Sequence, residues 1–166
     1  MGKVVSQDEL ILHRGEWKRN GKSVVFTSGA FDLLHPGHVR LLEQARELGD
    51  VLVVGVETDA SVRKRHGSKH VGATNDVRPI TPAEERMEIL AALAAVDYVA
   101  EYDAASLGKF LARLRPDVVA EGSSESRQAQ GRAGKGGKAA AKIVRIPLEP
   151  GYSTSRLIER IKQLPA

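Results

Sequence analysis

The 166-residue chain contains no cysteine, which excludes disulfides and thiolate-held metal sites. No apolar run approaches the roughly 20 residues that a membrane-spanning helix needs. The amino terminus, Met1-Gly2-Lys3-Val4-Val5-Ser6, leads into polar sequence without an apolar h-region, so no secretory signal is expected and a cytoplasmic protein is the default. Aromatic residues make up only 4% of the chain. That scarcity weighs against a nucleic-acid surface built on base stacking. Acids are absent from 127–145, which carries Arg127, Arg132, Lys135, Lys138, Lys142 and Arg145 and supplies much of the net charge of +4. Such a stretch could attract nucleic acid, and it equally suits a phosphate-rich small substrate. Two nucleotide signatures are also missing. No G-x-G-x-x-G follows a strand-like run, and the glycine- and lysine-rich segment 131–138 has neither the glycine spacing nor the hydroxyl residue of a P-loop.

What is present reads as one globular domain, 1–166, with room for a core. Short apolar runs at 23–27, 51–56, 98–100, 117–120 and 143–148 alternate with helical patterns. This alternation predicts an α/β fold: a doubly wound, mainly five-stranded parallel sheet with helices on both faces. The helical pattern over 6–20 forms an N-terminal helical extension (1–22), with Leu10, Ile11 and Trp17 as packing residues. Thr81 is expected to cap the helix that follows it, with Pro82 at its first position and Glu84 completing a capping box. The polar stretch 57–77, with Gly67 and Gly72 inside it, is expected to be a loop beside the site, and 131–142 is the only low-complexity segment.

The chemistry concentrates in Gly29-Ala30-Phe31-Asp32-Leu33-Leu34-His35-Pro36-Gly37-His38. It follows the apolar run Val24-Val25-Phe26 and precedes helical spacing at Val39, Leu41, Leu42, Ala45 and Leu48. The motif therefore lies where a strand turns into a helix, whose first amides and positive dipole end favour anions. Pro36 and Gly37 are expected to fix the turn so that His38 opens the helix, and His35 and His38 can then donate to one phosphate. Asp32 is expected to cap the turn or to position the histidine pair. Zinc is the other use of paired histidines, but no cysteine and no third clustered histidine accompany them. Gly151-Tyr152-Ser153-Thr154-Ser155, before the last helix, is a helix cap when taken alone. Beside the first motif it offers a second anion cradle for the same polyphosphate.

These residues resemble the cytidylyltransferase-like nucleotidyltransferases, marked by G-x-F-D (29–32), H-x-G-H (35–38) and a C-terminal S-T-[ST] helix start (153–155). The fold implied is the Rossmann-like one of that superfamily. Within it the chain is most similar to the stand-alone nucleotidyltransferase domain of bacterial ADP-heptose synthases. Val25 to His35, Arg78-Pro79-Ile80, Glu85-Arg86-Met87 and Gly151-Tyr152-Ser153-Thr154 carry that closer likeness. The resemblance implies transfer of AMP from ATP to D-glycero-β-D-manno-heptose 1-phosphate with release of pyrophosphate, giving ADP-heptose for lipopolysaccharide or another surface glycan. It implies Mg²⁺ held mainly by substrate phosphates, and a homodimer. His35 and His38 would donate to the α- and β-phosphates. Ser28, Gly29, Ala30, Phe31 and Asp32 would line the triphosphate turn, Arg86 would contact phosphate, and Tyr152, Ser153, Thr154 and Ser155 would bind the β- and γ-phosphates. Lys64 or Arg65 would supply a basic residue after the second strand, and Glu121 and Gly122 would lie beside the nucleotide. The chain departs from close relatives at Arg65-His66-Gly67, where leucine-lysine-glycine is usual. It departs again at Glu121-Gly122-Ser123-Ser124-Glu125, where a Gly-Asp pair and an aromatic are usual. Two alternatives accompany this reading. One is a glycerol-3-phosphate cytidylyltransferase-like enzyme, disfavoured by Leu148-Glu149-Pro150 in place of that group's Arg-Thr-Glu lead-in. The other is a non-enzymatic nucleotide- or nucleic-acid-binding domain.

Overall fold

The computed structural model describes residues 1–66, 78–123 and 141–165. Its centre is a parallel sheet in which β2 (Val24–Gly29) lies between β3 (Val51–Glu57) and β5 (Val118–Ser123). From β3 the sheet continues to β4 (Tyr98–Tyr102) and then to a two-residue edge strand, β1 (Lys3–Val4). From β5 it continues to β6 (Lys142–Pro147) on the other edge, giving the order β1-β4-β3-β2-β5-β6 with every pairing parallel. After β2 the chain moves outward through β3 and β4, then returns to add β5 and β6 on the other side. The carboxyl ends of β2 and β5 therefore flank the switch point where ligands bind in doubly wound sheets.

The core divides between the two faces of the sheet, as the alternation of side chains along each strand requires. Val25, Leu52, Val54, Val56 and Val99 point to one face, where they meet Leu41, Leu42 and Ala45 of α2 (Pro36–Arg46) and Leu90 and Ala91 of α4 (Ala83–Ala91). Val24, Phe26, Val51, Val53 and Ala100 point to the other. There they meet Leu10 and Trp17 of α1 (Gln7–Arg19) and Phe110 and Leu114 of α5 (Leu107–Leu114). Burial on both faces is why 51–56 reads as an uninterrupted apolar run. α1 begins at Ser6, whose hydroxyl accepts from the Glu9 amide while the Glu9 carboxylate accepts from the Ser6 amide, a complete capping box. The last helix, α6 (Thr154–Lys162), packs Ile158 inward and is capped by Ser153, whose hydroxyl accepts from the Arg156 amide at 3.2 Å.

Four expectations change. The sheet has six strands instead of five: β1 pairs with β4, so 1–22 adds a sheet edge as well as a helix. Two residues are too few to show alternation in a sequence. The stretch 57–77 is not all loop, because α3 (Asp59–His66) occupies its first part; 67–77 lie outside the described residues, as do 124–140. The residue preceding α4 is Pro82, whose carbonyl accepts from the Arg86 amide and which has no side-chain cap; the Thr81 amide is donated to Asp32 and is not left for a Glu84 capping box. Helix α2 opens at Pro36, with His35 at the N-cap position, one turn-entry earlier than His38.

Gly55, in the middle of β3, has no space for a side chain: a Cβ there would fall 2.7 Å from Phe26 Cζ and 3.1 Å from Tyr102 Cδ1. Gly55→Ala is expected to lower stability by about 1–3 kcal/mol through overpacking. Denaturant unfolding checks this, and a midpoint equal to that of the parent chain contradicts it.

Candidate active site

The turn after β2 is shaped from outside itself. Phe31 adopts φ +49, a left-handed conformation uncommon for a bulky side chain. Its ring is buried and lies edge-on to the His38 imidazole, centroids 5.3 Å apart. The Asp32 carboxylate accepts from the Ile80 and Thr81 amides at 2.7 and 3.0 Å, so it neither caps its own turn nor bonds the histidines; it anchors the segment ahead of α4. The other carboxylate oxygen of Asp32 is buried without a hydrogen-bond partner.

His35 and His38 stack with centroids 3.7 Å apart and rings 16° from parallel. Gly37 allows this approach, since a Cβ there would lie 3.1 Å from His35 Nδ1 and 3.2 Å from Tyr152 Cβ. Both Nδ1 atoms are buried and have no hydrogen-bond partner. Burial lowers the pKa of His35, and burial together with the neighbouring His35 lowers that of His38 to about 4. Both shifts favour the neutral rings, and each neutral imidazole keeps one N–H to donate.

His38 opens onto a cleft of about 280 Å³ whose walls include Ser28 to Asp32, Arg65, Arg78, Gly122 and Thr154. Sequence-distant residues meet here, because the ends of β2 and β5 and the starts of α2 and α6 converge on one crevice. Thr154 Oγ1 contacts the Leu33 carbonyl at 3.4 Å, and Arg78 donates to Ser155 Oγ at 3.3 Å, so the α6 start is tied to both sides of the cleft. Gly151, at φ +90, makes the turn into α6, a conformation open to glycine at little cost. Ser153 and Tyr152 line an adjoining cavity with His35, and the Tyr152 ring lies 6.2 Å from the His35 ring.

Other expected residues are placed differently. Arg65 faces the cleft while bonded to the buried Glu57 carboxylate at 2.5 Å; Lys64, beside it on α3, is exposed and does not line the cleft. Arg86 is neither a solvated helix charge nor open to a phosphate. Its side chain is fully buried and donates to the Thr81 and Ala30 carbonyls and to Asp59. Gly122 reaches the cleft, whereas Glu121 is exposed and borders a second cavity on the α5 side of the sheet. Arg78 belongs to a stretch that carries the family likeness, yet no site role follows from its local sequence; it becomes a cleft cation only through the packing of its segment against α6. Leu41, Val62 and Leu148 complete the walls.

Comparison with known proteins agrees with this geometry. The sequence model of the family described as Cytidylyltransferase-like matches residues 26–160. The chain is 39% identical over 97% of its length to the bifunctional protein HldE of Rhodopseudomonas palustris strain HaA2. It is 45% identical over 85% of its length to HldE of Citrifermentans bemidjiense. It spans 31% and 27% of the length of those two relatives. A solved structure described as the lipopolysaccharide core biosynthesis protein from Thermoplasma volcanium superposes with TM-score 0.63 at 28% identity, covering 78% of this chain and 99% of that one. Pantoate-beta-alanine ligase from Francisella tularensis shares the fold at TM-score 0.66 and 15% identity, over all of this chain and 74% of that one.

The low pKa of His38 has a sign in the stability curve. Between about pH 6.5 and 4 the unfolded chain takes up a proton at this position that the folded chain refuses, so this group's stability contribution, complete above pH 6.5, is lost as pH falls. His38→Asn is expected to flatten the pH dependence of unfolding free energy in that window. Denaturant titrations at several pH values check it, and equal slopes in the two proteins contradict it.

Proposed function

The chain belongs to the cytidylyltransferase-like family, and on that premise we propose that it transfers AMP from ATP to a sugar 1-phosphate, releasing pyrophosphate. The observation that carries this reading is the convergence on one cleft of His38, stacked on His35 at the start of α2, and Thr154 at the start of α6. Two helix starts and a set of hydrogen-bond donors facing one another suit a triphosphate. The specific acceptor, D-glycero-β-D-manno-heptose 1-phosphate, is supported by the likeness to ADP-heptose synthases and by the solved relative described as a lipopolysaccharide core biosynthesis protein.

In this mechanism a phosphate oxygen of the acceptor forms a bond to the α-phosphorus of ATP. The bond from that phosphorus to the bridging oxygen breaks, and its electron pair leaves with pyrophosphate. No enzyme nucleophile is required, so catalysis comes from alignment and from stabilising the charge that builds on the phosphate oxygens. His38 and His35 donate to those oxygens as neutral imidazoles. Thr154, Ser155 and the first amides of α6 hold the β- and γ-phosphates, with Arg78 beside them. Backbone amides of the 29–31 turn hold the α-phosphate side, and Arg65 supplies positive charge at the opposite wall.

Mg²⁺ fits as an ion that enters with the nucleotide. Among the described residues no three His, Asp or Glu side chains are grouped to enclose a metal, and Asp32 is the one carboxylate on the cleft wall, with one oxygen unpartnered. That donor set suits a hard cation coordinated mainly by phosphate oxygens, with Asp32 as the protein ligand available to it. When bound, the ion offsets negative charge on the departing pyrophosphate.

A pyrophosphate-release assay pairing each of the four nucleoside triphosphates with heptose 1-phosphate and with polyol phosphates tests the proposal. Turnover is expected with ATP and heptose 1-phosphate. Turnover confined to CTP with a polyol phosphate supports the cytidylyltransferase alternative, and none with any pair supports a binding domain. Within the active pair, His38→Ala is expected to lower kcat by about 10²-fold, the effect of losing one oxyanion-type donor. An unchanged kcat removes His38 from the mechanism.

A further inference from the structure

We propose that Arg86 is a positioning residue: it holds the turn at 29–32, and through Phe31 the His38 imidazole, in the geometry that the transfer reaction uses. The inference rests on the cleft being the site of that reaction, and it assigns Arg86 a task other than binding substrate.

The argument begins with burial. Arg86 lies on α4 with its side chain at 0% exposure, so no ligand in the cleft touches it in this conformation. A buried guanidinium must spend its donors on protein acceptors, and each acceptor found belongs to a different segment. Nε donates to the Thr81 carbonyl at 2.8 Å, one terminal nitrogen donates to the Ala30 carbonyl, and the other reaches Asp59 Oδ1 at 2.5 Å. Thr81 is the junction. Its carbonyl accepts from Arg86 while its amide donates to Asp32 at 3.0 Å. Ala30, Phe31, Asp32, Thr81 and Arg86 thus form a closed loop of covalent and hydrogen bonds.

Phe31 stands inside that loop, and it is the residue at φ +49. A bulky L residue persists there only when its surroundings over-determine it. The surroundings are Arg86 on the carbonyl before it and Asp32 after it, each tied to the same segment ahead of α4. Release of the Ala30 carbonyl frees the Ala30–Phe31 peptide to rotate toward the ordinary negative-φ region. That rotation turns the Phe31 amide away from the cleft and moves its ring off the edge of His38. Asp59 extends the effect to the opposite wall. It sits in the first turn of α3, the helix that carries Arg65 into the cleft. One buried cation therefore registers the triphosphate turn against the helix across from it.

Arg86→Lys and Asp59→Asn in the full chain test the proposal, each read in two ways. The first readout is the ring titration of His38 by NMR in nucleotide-free protein, which does not depend on any reaction. The titratable groups around that ring are His35, stacked on it, and Asp32, Arg65 and Arg78 on the cleft walls. The second readout is kcat and KM for ATP. Lysine keeps the charge but cannot reach three acceptors from one planar fork. The His38 midpoint is expected to rise by a unit or more from its position near 4 as the Phe31 ring moves away. The same change is expected to lower kcat by about 10–100-fold, as a misplacement of order 1 Å does, with KM for ATP changed by less than about 3-fold. Asp59→Asn is expected to move both readouts in the same direction by less, and it carries the comparison alone if the lysine variant does not fold. A rise in KM with the His38 titration unmoved makes Arg86 a phosphate ligand and overturns the proposal. A lower Tm with native titration and native kcat makes it a structural tie only, which also overturns it. If the parent chain turns over no nucleotide, the reaction falls on that result, while the His38 titration still decides whether Arg86 positions the ring.

Discussion

Burial of the Arg86 guanidinium is tolerable because the chain surrounds it with acceptors: two carbonyls and the Asp59 carboxylate. A cation taken out of water without such partners costs several kcal/mol. The three segments that supply those acceptors cannot move independently without leaving a buried charge unmatched. One is the turn after β2, one leads into α4, and one starts α3. They carry most of the cleft: Phe31 and the histidines follow the first, Arg78 precedes the second, and Arg65 rides on the third. Asp32 closes the arrangement from the other side by accepting two amides from the segment ahead of α4.

Within that frame the cleft keeps its strongest charges apart from its hydrogen-bond donors. Two protonated imidazoles stacked at 3.7 Å would repel one another, and burial opposes protonation of both. Neutral rings avoid that repulsion and still present N–H groups to phosphate oxygens. Positive charge comes from Arg65 and Arg78 on the walls, where Glu57 and Ser155 hold them in place. An anion entering such a site meets donors oriented by the fold, so little reorganisation is left for the moment of reaction.

Elements with strong local periodicity were legible before any coordinates. The two-faced burial of β3, the amphipathic stripe of α2 and the helical pattern of α1 all follow from residues within one or two turns of each other, whereas the Ser6–Glu9 capping box of α1 shows only in the structure. The expectations that failed have a common origin. The capping box expected at Thr81 and Glu84 needs the Thr81 amide, and that amide is claimed by Asp32, which lies 49 positions away in the chain. α3 shows no apolar stripe, because polar bonds fasten it: Ser61 and Arg65 to Glu57, and Asp59 to Arg86. β1 exists as a strand because β4 offers an edge to pair with.

Apart from β1 and α3, the order of strands and helices was determined by the sequence alone, as was the strand-to-helix placement of His35 and His38, because both rest on short-range spacing. So was the presence of both a G-x-F-D turn and a hydroxyl-rich helix start, though their meeting at one cleft is tertiary. Only the tertiary structure decided that Arg65, rather than Lys64, faces the cleft, that Arg78 joins it, and that Arg86 lies beneath it as a clamp. Local sequence records which groups a chain carries. Which of them is desolvated, and by what partner, is set by segments packed from far along the chain, and burial is what converts a charge from a solvated side chain into a constraint on its neighbours.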